Sequence, residues 1–462
     1  MAVRFCLFLK DEHRQLFAGL SIYTVEDKTL QTAFRLYDFA WGIAIPLLRN
    51  APRLKDGFTG RTLEEPLPEA DIWIQAASGG EAFLARTLLS RLRTAGTTRV
   101  LVTTNTRQGK DIIDGFIPEI TQANPTLCVF SAWFPFDRPS VMSAAAARVN
   151  PKLAVLLESE LWPGFIHALK QMKRPVYIVN GRMTEKSLSG YRRFPAVCRA
   201  LAPDAVFAVS KEDKRRFETV FGGGLASVMS NIKFDSLPAP AADTYDGRDP
   251  GWTGRLLPEK SPFIVLGSVR REEEGHILDI IRRVTMKRPG AVIGLFPRHM
   301  ERVDSWKKML SEQQIPWQLR SAGFQSIRPG DVVLWDVFGE LASAYAEAQA
   351  VFVGGSLAPL GGQNFLEPLA HGKTPVIGPS WENFAWVGVE IFRNKLVIRV
   401  NNSKEAAEQL IGLADNPPPG ANTAARAGRY IAARQGGARK ACELIEKALI
   451  ASASTISERN RS

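Results

Sequence analysis

A glycine-rich run in the second half of the chain is the segment best suited to hold a ligand. Residues 353–368 read Val-Gly-Gly-Ser-Leu-Ala-Pro-Leu-Gly-Gly-Gln-Asn-Phe-Leu-Glu-Pro. Because glycine has no side chain, the backbone there can approach a bound molecule closely. Asn364 and Glu367 follow the glycines, three residues apart at the start of a predicted helix, and therefore share one face of it. A carboxylate in that setting commonly holds a ribose diol, so the run predicts a nucleotide site.

A basic turn precedes that run. Pro297, Arg298 and His299 follow a predicted strand over residues 291–296, at the edge of the sheet where ligands bind in doubly wound folds. An arginine there can grip a phosphate through two parallel hydrogen bonds, although an ordinary basic surface turn fits the segment equally well. Asp336 and Glu340, further along, are predicted to act as hydrogen-bonding groups rather than as metal ligands.

Two polar turns in the first half could bind a sugar. In Ala77-Ser-Gly-Gly-Glu-Ala82, small residues lead into a predicted helix, whose free backbone N–H groups suit an anion or a hydroxyl. Glu158, Glu160 and Trp162 follow another strand, where a ring can stack on a sugar and carboxylates can accept bonds from its hydroxyls. Each turn also has an ordinary structural explanation, as a strand-to-helix turn or as a glutamate that caps the next helix.

Several common catalytic signatures are missing from the sequence. We find no HExxH, P-loop or GxSxG motif and no acidic DxD pair in the first half, so we expect neither a catalytic metal nor a serine nucleophile. The four cysteines, Cys6, Cys128, Cys198 and Cys442, are far apart and form no CxxC pair. This pattern disfavours a disulfide framework or a zinc site and is typical of a reducing compartment.

Two series of short apolar runs, each alternating with amphipathic stretches, must position these residues. The first series predicts strands at residues 72–77, 100–104, 127–130, 153–157, 176–179 and 205–209, and the second at 263–266, 291–296, 332–334, 351–353 and 374–377. Strands buried on both faces with helical crossovers predict a doubly wound parallel sheet in each half. We therefore expect two Rossmann-like domains facing across a cleft, which suits a chain of 462 residues.

The predicted boundaries follow from changes in composition. Residues 1–34 form an extension, 35–237 the first domain, 238–262 a linker rich in Pro, Gly and Asp, 263–435 the second domain, and 436–462 a helix with a polar tail. The charges Lys10-Asp-Glu-His-Arg14 interrupt the first apolar run, so we expect no signal peptide.

The charge of the chain indicates an anionic partner. A net charge of +12 attracts nucleic acid, an anionic membrane surface or a phosphorylated substrate. Because the sequence lacks RNP, zinc-finger and recognition-helix signatures, we expect no nucleic acid. The apolar segment 39–48 is flanked by Arg35 and Arg49 and is too short to span a bilayer. It fits either a helix in the membrane interface, with Trp41 at headgroup depth, or a buried helix with a basic end.

Together these motifs resemble the Kdo (3-deoxy-D-manno-octulosonic acid) transferases of lipopolysaccharide synthesis, from about residue 35 to about residue 435. The resemblance rests on the order and spacing of Ala77-Ser-Gly-Gly-Glu81, Glu158-Ser-Glu-Leu-Trp-Pro163, Asn180-Gly-Arg-Met-Thr-Glu-Lys-Ser187, Asn231-Ile-Lys-Phe-Asp235, Pro297-Arg-His299, Gly339-Glu-Leu341 and the run from Gly354 to Pro368. It implies a GT-B fold, a CMP-Kdo donor in the second domain and a lipid A precursor in the first, without a cofactor.

The resemblance also implies roles for single residues. CMP contacts would fall on Pro297, Arg298, Phe338, Gly339, Glu340, Asn364, Phe365, Leu366 and Glu367, and substrate contacts on Ser78, Gly79, Gly80, Glu81, Glu160 and Ser268. Asp137 and Lys233 match positions to which the family assigns transition-state stabilisation. A cation such as Lys233 near the departing phosphate would offset its developing charge without a metal.

This chain departs from the family pattern at three places. Gly60 stands where the family has its general base, a glutamate, and Glu64 or Glu65 could substitute for it. Arg270 and Arg271 replace neutral or acidic residues of the family's Gly-Ser-Thr-His-Glu turn, and Gln363 replaces a usual histidine. We therefore expect a metal-independent Kdo transferase acting on a lipid A precursor at the cytoplasmic face of the inner membrane, peripheral or monotopic. The alternatives are a paralogue with another donor sugar or acceptor, and a catalytically silent protein that binds CMP or lipid.

Overall fold

The computed structural model describes residues 27–158, 161–237, 258, 261–322 and 327–459. Glu160, a predicted substrate contact, lies outside the described residues, as do residues 1–26, most of the predicted linker and residues 460–462. The described chain forms two compact units. The first contains the chain up to Ser236 together with the segment from Arg434 onward, and the second contains the chain from Leu237 to Ala433.

The first unit contains a parallel sheet of seven strands in the order β3-β2-β1-β4-β5-β6-β7. The strands are β1 Ile72–Gln75, β2 Thr98–Thr104, β3 Leu127–Trp133, β4 Leu153–Leu157, β5 Val176–Gly181, β6 Ala205–Ala208 and β7 Ala226–Val228. The helices are Asp27–Leu48, Pro52–Lys55, Phe58–Thr62, Gly79–Arg91, Arg107–Ala123, Pro139–Val149, Pro163–Gln171, Glu185–Tyr191, Pro195–Ala200, Lys211–Phe221 and Gly437–Arg459, with a 3-10 turn at Ile232–Phe234.

The second unit contains another parallel sheet of seven strands, in the order β10-β11-β9-β8-β12-β13-β14. The strands are β8 Phe263–Val269, β9 Val292–Pro297, β10 Trp317–Leu319, β11 Val332–Leu334, β12 Ala350–Val353, β13 Pro375–Ile377 and β14 Ile398–Arg399. The helices are Glu274–Lys287, Val303–Glu312, Leu341–Glu347, Leu366–Ala370, Glu390–Arg393, Ser403–Asp415 and Gly420–Ala432, with 3-10 turns at Arg271–Glu273, Met300–Arg302 and Glu382–Val387.

Both sheets are doubly wound, as the sequence predicts. The order of strands reverses direction between β1 and β4 in the first sheet and between β8 and β12 in the second. Successive residues of β1 enter different cores, with Trp73 in one and Ile72 and Ile74 in the other, because helices cover both faces of the sheet. Ligands in such folds bind at the carboxyl ends of the strands near the reversal, so those two edges carry the candidate site.

The helix Asp27–Leu48 begins within the predicted extension 1–34 and has two different faces. Phe34 and Ala44 are buried, the Phe34 ring stacks on His167 at 3.9 Å, and Trp41 packs against Phe136 at 5.7 Å. Trp41 therefore packs against the protein, as in the second of the two interpretations of this segment, and not at headgroup depth, as in the first. An apolar stripe at helical spacing faces outward, between 55% and 77% exposed, and consists of Leu36, Phe39, Ile43 and Leu47.

The segment 436–462, predicted as a separate helix and tail, belongs to the first unit. The helix Gly437–Arg459 buries small and apolar side chains at helical spacing against the helix Gly79–Arg91, namely Ala438, Ala441, Cys442, Ile445 and Ala448. This stripe is hard to recognise in the sequence because three of its members are alanines.

Candidate active site

Lys233 forms an ion pair at the carboxyl edge of the first sheet. Its Nζ lies 2.8 Å from Oε1 of Glu158, the residue that follows β4, and both side chains are partly exposed. Glu158 has a φ of 59°, in the left-handed region that non-glycine residues seldom adopt. Such strain often accompanies a functional position, and here it directs a carboxylate to the predicted catalytic lysine.

Asp137, the second residue predicted to stabilise the transition state, is 1% exposed. Its carboxylate accepts hydrogen bonds from Gly164 N at 3.1 Å, Phe165 N at 2.8 Å and the Tyr37 hydroxyl at 3.0 Å. The carboxylate thus lies at the start of the helix Pro163–Gln171, where backbone N–H groups favour an anion. Burial nevertheless dominates and raises the pKa of Asp137 to about 7. This buried placement indicates that Asp137 holds the start of the helix Pro163–Gln171 in position from beneath the surface of the site.

The two candidate bases follow the helix Phe58–Thr62 and have different surroundings. Glu64 accepts a hydrogen bond from the Thr62 hydroxyl at 2.9 Å. Glu65 accepts one from the Thr59 hydroxyl through Oε1, and its Oε2 accepts none from the described residues. A β-carbon added at Gly60 would lie 3.1 Å from the Trp133 side chain and 3.5 Å from that Oε2. The Glu65 carboxylate therefore lies, with the Trp133 ring, beside the space that a side chain at position 60 would enter.

Arg61 is a site residue that the predictions omitted. It is 3% exposed, and its guanidinium carbon lies 4.7 Å from the centre of the Trp133 ring. It donates hydrogen bonds to the carbonyl of Asn105, which follows β2, at 2.7 Å and to the carbonyl of Phe134, which follows β3, at 3.4 Å. Burial lowers the pKa of Arg61 to about 10. Arg61 thus fixes the helix Phe58–Thr62 to the strand ends, and its place beside Gly60 was the signal that could have revealed it.

In the turn Ala77–Glu81, the Glu81 carboxylate forms hydrogen bonds within the turn itself. Glu81 is buried and accepts hydrogen bonds from Ala77 N and from the Ser78 hydroxyl. A β-carbon at Gly79 would lie 3.0 Å from the Gln108 side chain, so a side chain there has little room, whereas Gly80 is exposed. Of the four predicted contacts in this turn, Gly80 and the partly exposed Ser78 are the ones that a substrate can reach.

The second unit brings Arg298 and Glu367 together at the carboxyl edge of its sheet. Arg298 is exposed directly after β9, and Glu367 lies in the first turn of the helix Leu366–Ala370. Burial raises the pKa of Glu367, and the positive charge of Arg298 opposes that rise. The buried Tyr345 hydroxyl interacts with both Glu367 and Ser268, and burial raises its pKa. Ser268, a predicted substrate contact, therefore belongs to the same cluster.

The segment Phe338–Glu340 follows β11, next to β9. Phe338 is 78% exposed, and Gly339 has a φ of 88° with open space where a β-carbon would lie. The Glu340 carboxylate accepts two hydrogen bonds from Arg320, at 2.8 and 3.0 Å, and one from the Trp335 indole at 2.9 Å. Glu340 is thus held by the protein, and Phe338 and Gly339 form the open part of this segment.

The first part of the glycine-rich run holds one of the protein's own carboxylates. Buried Glu273 accepts hydrogen bonds from the backbone N–H groups of Gly355, Ser356 and Leu357. Three successive N–H groups form a nest that suits an anion, and Glu273 fills it. A β-carbon at Gly354 would lie 2.6 Å from Glu273 Oε1, which explains that glycine. The run therefore approaches an internal carboxylate here, not the ligand that the sequence suggested.

The end of the run leads into the helix Leu366–Ala370. Asn364 Oδ1 accepts a hydrogen bond from Leu366 N at 3.2 Å, so the Asn364 side chain is bonded to the first residue of the helix that carries Glu367. Phe365 is fully buried against Phe384, and Leu366 and Pro297 are buried as well. These three residues can contact a ligand only through the backbone, whereas Arg298 and Glu367 can use their side chains.

Metal-binding clusters and membrane-spanning helices are both absent from the described part of the chain. No group of three or more His, Cys, Asp or Glu side chains there could hold a metal ion. None of the described helices is long and apolar enough to cross a membrane.

Known proteins resemble this chain in sequence and in fold. Residues 52–236 match the family described as 3-deoxy-D-manno-octulosonic-acid transferase (kdotransferase). The 3-deoxy-D-manno-octulosonic acid transferase of Bordetella pertussis is 30% identical over 400 residues, which cover 84% of this chain and 90% of that protein. The Haemophilus influenzae protein of the same name is 29% identical over 355 residues, covering 74% and 79%.

Among solved structures, a glycosyltransferase from Rickettsia africae covers 83% of this chain and 99% of its own, with a TM-score of 0.54 and 12% identity. At that identity the similarity concerns the fold. Together with the two seven-stranded parallel sheets, it confirms the predicted GT-B fold class.

Proposed function

The chain belongs to the Kdo transferase family of glycosyltransferases, and from that premise we propose that it transfers Kdo from CMP-Kdo to a lipid A precursor. The observation that carries the proposal is the cluster at the carboxyl edge of the second sheet. Residues that follow three strands of this sheet lie at that edge, with Arg298 after β9, Phe338 after β11 and Glu367 after β12. A phosphate-binding arginine beside a ribose-binding carboxylate suits a nucleotide.

In the proposed donor site each exposed group has one task. Arg298 binds the phosphate of CMP, and Glu367 accepts hydrogen bonds from the ribose hydroxyls. The exposed Phe338 ring provides a surface for the cytosine, and Gly339 lets the backbone approach it. Arg320 orients Glu340, and Glu273 orients the glycine-rich run, so neither carboxylate needs to touch the donor.

In the proposed reaction an acceptor hydroxyl displaces CMP. Glu65 removes the hydroxyl proton as general base, because its Oε2 lies only 3.5 Å from the position of a β-carbon at residue 60. Lys233, held by Glu158, stabilises negative charge in the transition state. Asp137 acts from below by fixing the start of the helix Pro163–Gln171. With a fixed cation supplying this charge, the proposed mechanism requires no metal ion.

We place the protein at the cytoplasmic face of the inner membrane, as a peripheral or monotopic protein. The support is the exposed apolar stripe of the helix Asp27–Leu48, together with the net charge of +12. In this arrangement the apolar side chains enter the acyl boundary of the membrane and basic residues contact lipid phosphates. Each basic residue contributes about 1 kcal/mol of attraction. A lipid A precursor, which is a phosphorylated lipid, would be met at the same surface.

Two alternative functions are each suggested by particular residues of this chain. Arg270, Arg271 and Gln363 favour a paralogue with a different donor sugar or acceptor, and Gly60 favours a silent protein that binds CMP or lipid without turnover.

A donor panel separates these possibilities. Purified protein is incubated with CMP-Kdo, another CMP-sugar or a UDP-sugar, with and without a tetra-acylated lipid A precursor, and CMP or UDP release is measured. The proposal predicts acceptor-dependent release from CMP-Kdo alone. Release from another donor identifies the paralogue. Binding of CMP by calorimetry without release from any donor identifies the silent protein, and absence of CMP binding contradicts the proposal.

A further inference from the structure

The segment that carries Lys233 is fixed from the side of the sheet. Asn180, at the end of β5, accepts a hydrogen bond from Ile232 N at 2.9 Å, and Asn231 accepts one from Lys233 N at 3.0 Å. Asn180, in β5, and Glu158, directly after the neighbouring strand β4, both have a φ of 59°. Two strained non-glycine residues thus direct polar side chains to one short 3-10 turn, Ile232–Phe234.

The same segment is fixed from the opposite side by the start of the C-terminal helix. The fully buried carboxylate of Asp235 accepts hydrogen bonds from Gly436 N and Ala438 N, each at 2.8 Å. Arg91 donates to Asp235 Oδ1 at 3.2 Å and to the Asp235 carbonyl at 2.9 Å. Asp235 therefore caps the helix Gly437–Arg459 from a position about 200 residues away in sequence, as these bonds show.

Gly437 is the point of closest approach between the two segments. A β-carbon at Gly437 would lie 2.1 Å from the carbonyl oxygen of Ser230, a separation that no side chain can have. The preceding residue, Gly436, has a φ of 99°, which also favours glycine. The start of the C-terminal helix therefore packs so closely against residues 230–235 that a side chain at Gly437 would push the two segments apart.

We propose that this contact, the C-terminal latch formed by Asp235, Gly436, Gly437 and Ala438, positions Lys233 for transfer. Asp235 and Gly437 are positioning residues that touch no substrate and act through Lys233, two residues from Asp235. The hydrogen bonds to the buried Asp235 carboxylate hold this residue in place. The latch therefore fixes the backbone of the neighbouring 3-10 turn, from which the Lys233 side chain extends to Glu158. This inference rests on the proposed role of Lys233 in the reaction.

The first test measures the position of Lys233 without using activity. Lysines of the folded, full-length protein are pulse-labelled with acetic anhydride, and labelling of Lys233 is compared by mass spectrometry with that of exposed Lys211. Asp235→Asn weakens the latch, and Gly437→Ala pushes the helix away. Both should raise Lys233 labelling relative to Lys211 by roughly tenfold, the size expected when a hydrogen bond to a charged group is lost.

The matched control is Gly412→Ala, in the helix Ser403–Asp415, where an added β-carbon meets nothing within 4 Å. It should leave Lys233 labelling unchanged. If Gly437→Ala does not fold, Asp235→Asn carries the test alone. Unchanged labelling of Lys233 in folded Asp235→Asn protein overturns the proposal, whether or not the chain transfers Kdo.

The second test asks whether the latch acts through Lys233 during turnover. Asp235→Asn should lower kcat by roughly tenfold with little change in the KM for CMP-Kdo, and should add no further loss to Lys233→Ala. A merely structural role predicts instead that the two losses multiply, and that result contradicts the inference. Absence of transfer by the unmodified chain would refute the proposed function and leave the labelling result to decide on the latch.

Discussion

Among single residues, Gly60 and Glu65 are the ones on which the proposed activation of an acceptor depends. The family resemblance places a catalytic glutamate at position 60, and the structure brings the Glu65 carboxylate into the space beside Gly60. The Thr59 hydroxyl donates to one oxygen of Glu65, and the other oxygen accepts no hydrogen bond from the described residues, so it is open to accept a proton in the proposed mechanism.

We expect Glu65→Gln to lower kcat by about 10²- to 10⁴-fold, the usual contribution of a general base, while CMP binding stays unchanged. Glu64→Gln, a change of the same shape one residue away, is the control and should retain activity, because Glu65 and not Glu64 is among the nearest neighbours of a β-carbon at Gly60. Steady-state kinetics and calorimetry make the comparison. Equal losses in both variants, or none in Glu65→Gln, would remove Glu65 from the mechanism.

Asp137 should give the protein a measurable pH dependence of stability. Its pKa is about 7 in the folded state because it is buried, against an ordinary value of 3.8. The folded state therefore holds this proton more tightly than the unfolded state, and the stabilisation is complete below pH 4. It is lost as the pH rises to about 7, by about 4 kcal/mol at about 1.4 kcal/mol per pH unit.

Asp137→Asn cannot titrate and should lack this decline. Urea unfolding of both proteins between pH 4 and pH 8 measures the difference. A free energy of unfolding that changes with pH identically in both proteins would show that burial does not perturb this carboxyl.

Among the elements, the helix Asp27–Leu48 has an exposed apolar stripe that its own unit does not cover. We expect Phe39→Ser with Leu47→Ser to weaken binding to anionic vesicles by at least roughly 100-fold, because burial of each large apolar side chain contributes about 1.5–3 kcal/mol. The thermal unfolding midpoint should not fall, since both side chains are exposed in the folded protein. Met286→Ser, at an exposed apolar residue of another helix, is the control for sedimentation with vesicles. Equal vesicle binding by all three proteins would exclude the stripe as the membrane contact.

The glycine-rich run offers a second prediction at the level of an element. Gly354→Ala should destabilise the second unit by about 1–3 kcal/mol, because the added carbon would lie 2.6 Å from both Glu273 Oε1 and the Ser268 carbonyl. It should also weaken CMP binding, because the displaced run leads into the helix that carries Glu367. Gly290→Ala, where an added β-carbon has open space, should leave both properties unchanged. Thermal unfolding measures the change in stability, and calorimetry measures the change in CMP binding. Normal CMP binding by Gly354→Ala would separate this run from the donor site.

For the whole molecule, buried strands were the part of the fold that the sequence predicted best. Val332–Leu334 and Leu153–Leu157 match their predicted bounds, since residues buried on both faces form continuous apolar runs. The strands β7, β10 and β14 were missed because they are edge strands of two or three residues, too short to show a pattern. The docking of the C-terminal helix was missed because contacts such as that of Asp235 with Ala438 join residues distant in sequence.

The position of a candidate site residue could be predicted where a local motif marks a strand end or a helix start, as with Arg298 and Glu367. It could be predicted less well which other side chains a site residue would bond to. The sequence predicts Glu340 and Glu81 as ligand contacts, but Arg320 and the backbone N–H of Ala77 donate hydrogen bonds to their carboxylates. Lys233 read as an available cation, but Glu158 holds it. Such pairings follow from the approach of separate elements, which local patterns do not encode.

The most direct test of the central claim is the mass of the product. The full chain is incubated with CMP-Kdo, generated in place, and a tetra-acylated lipid A precursor, and the lipid is then analysed by mass spectrometry. The account predicts a gain of one or more Kdo residues, lost in Glu65→Gln and retained in Glu64→Gln. An unmodified lipid, from protein that binds CMP normally, would contradict the claim that this chain is a Kdo transferase acting on that acceptor.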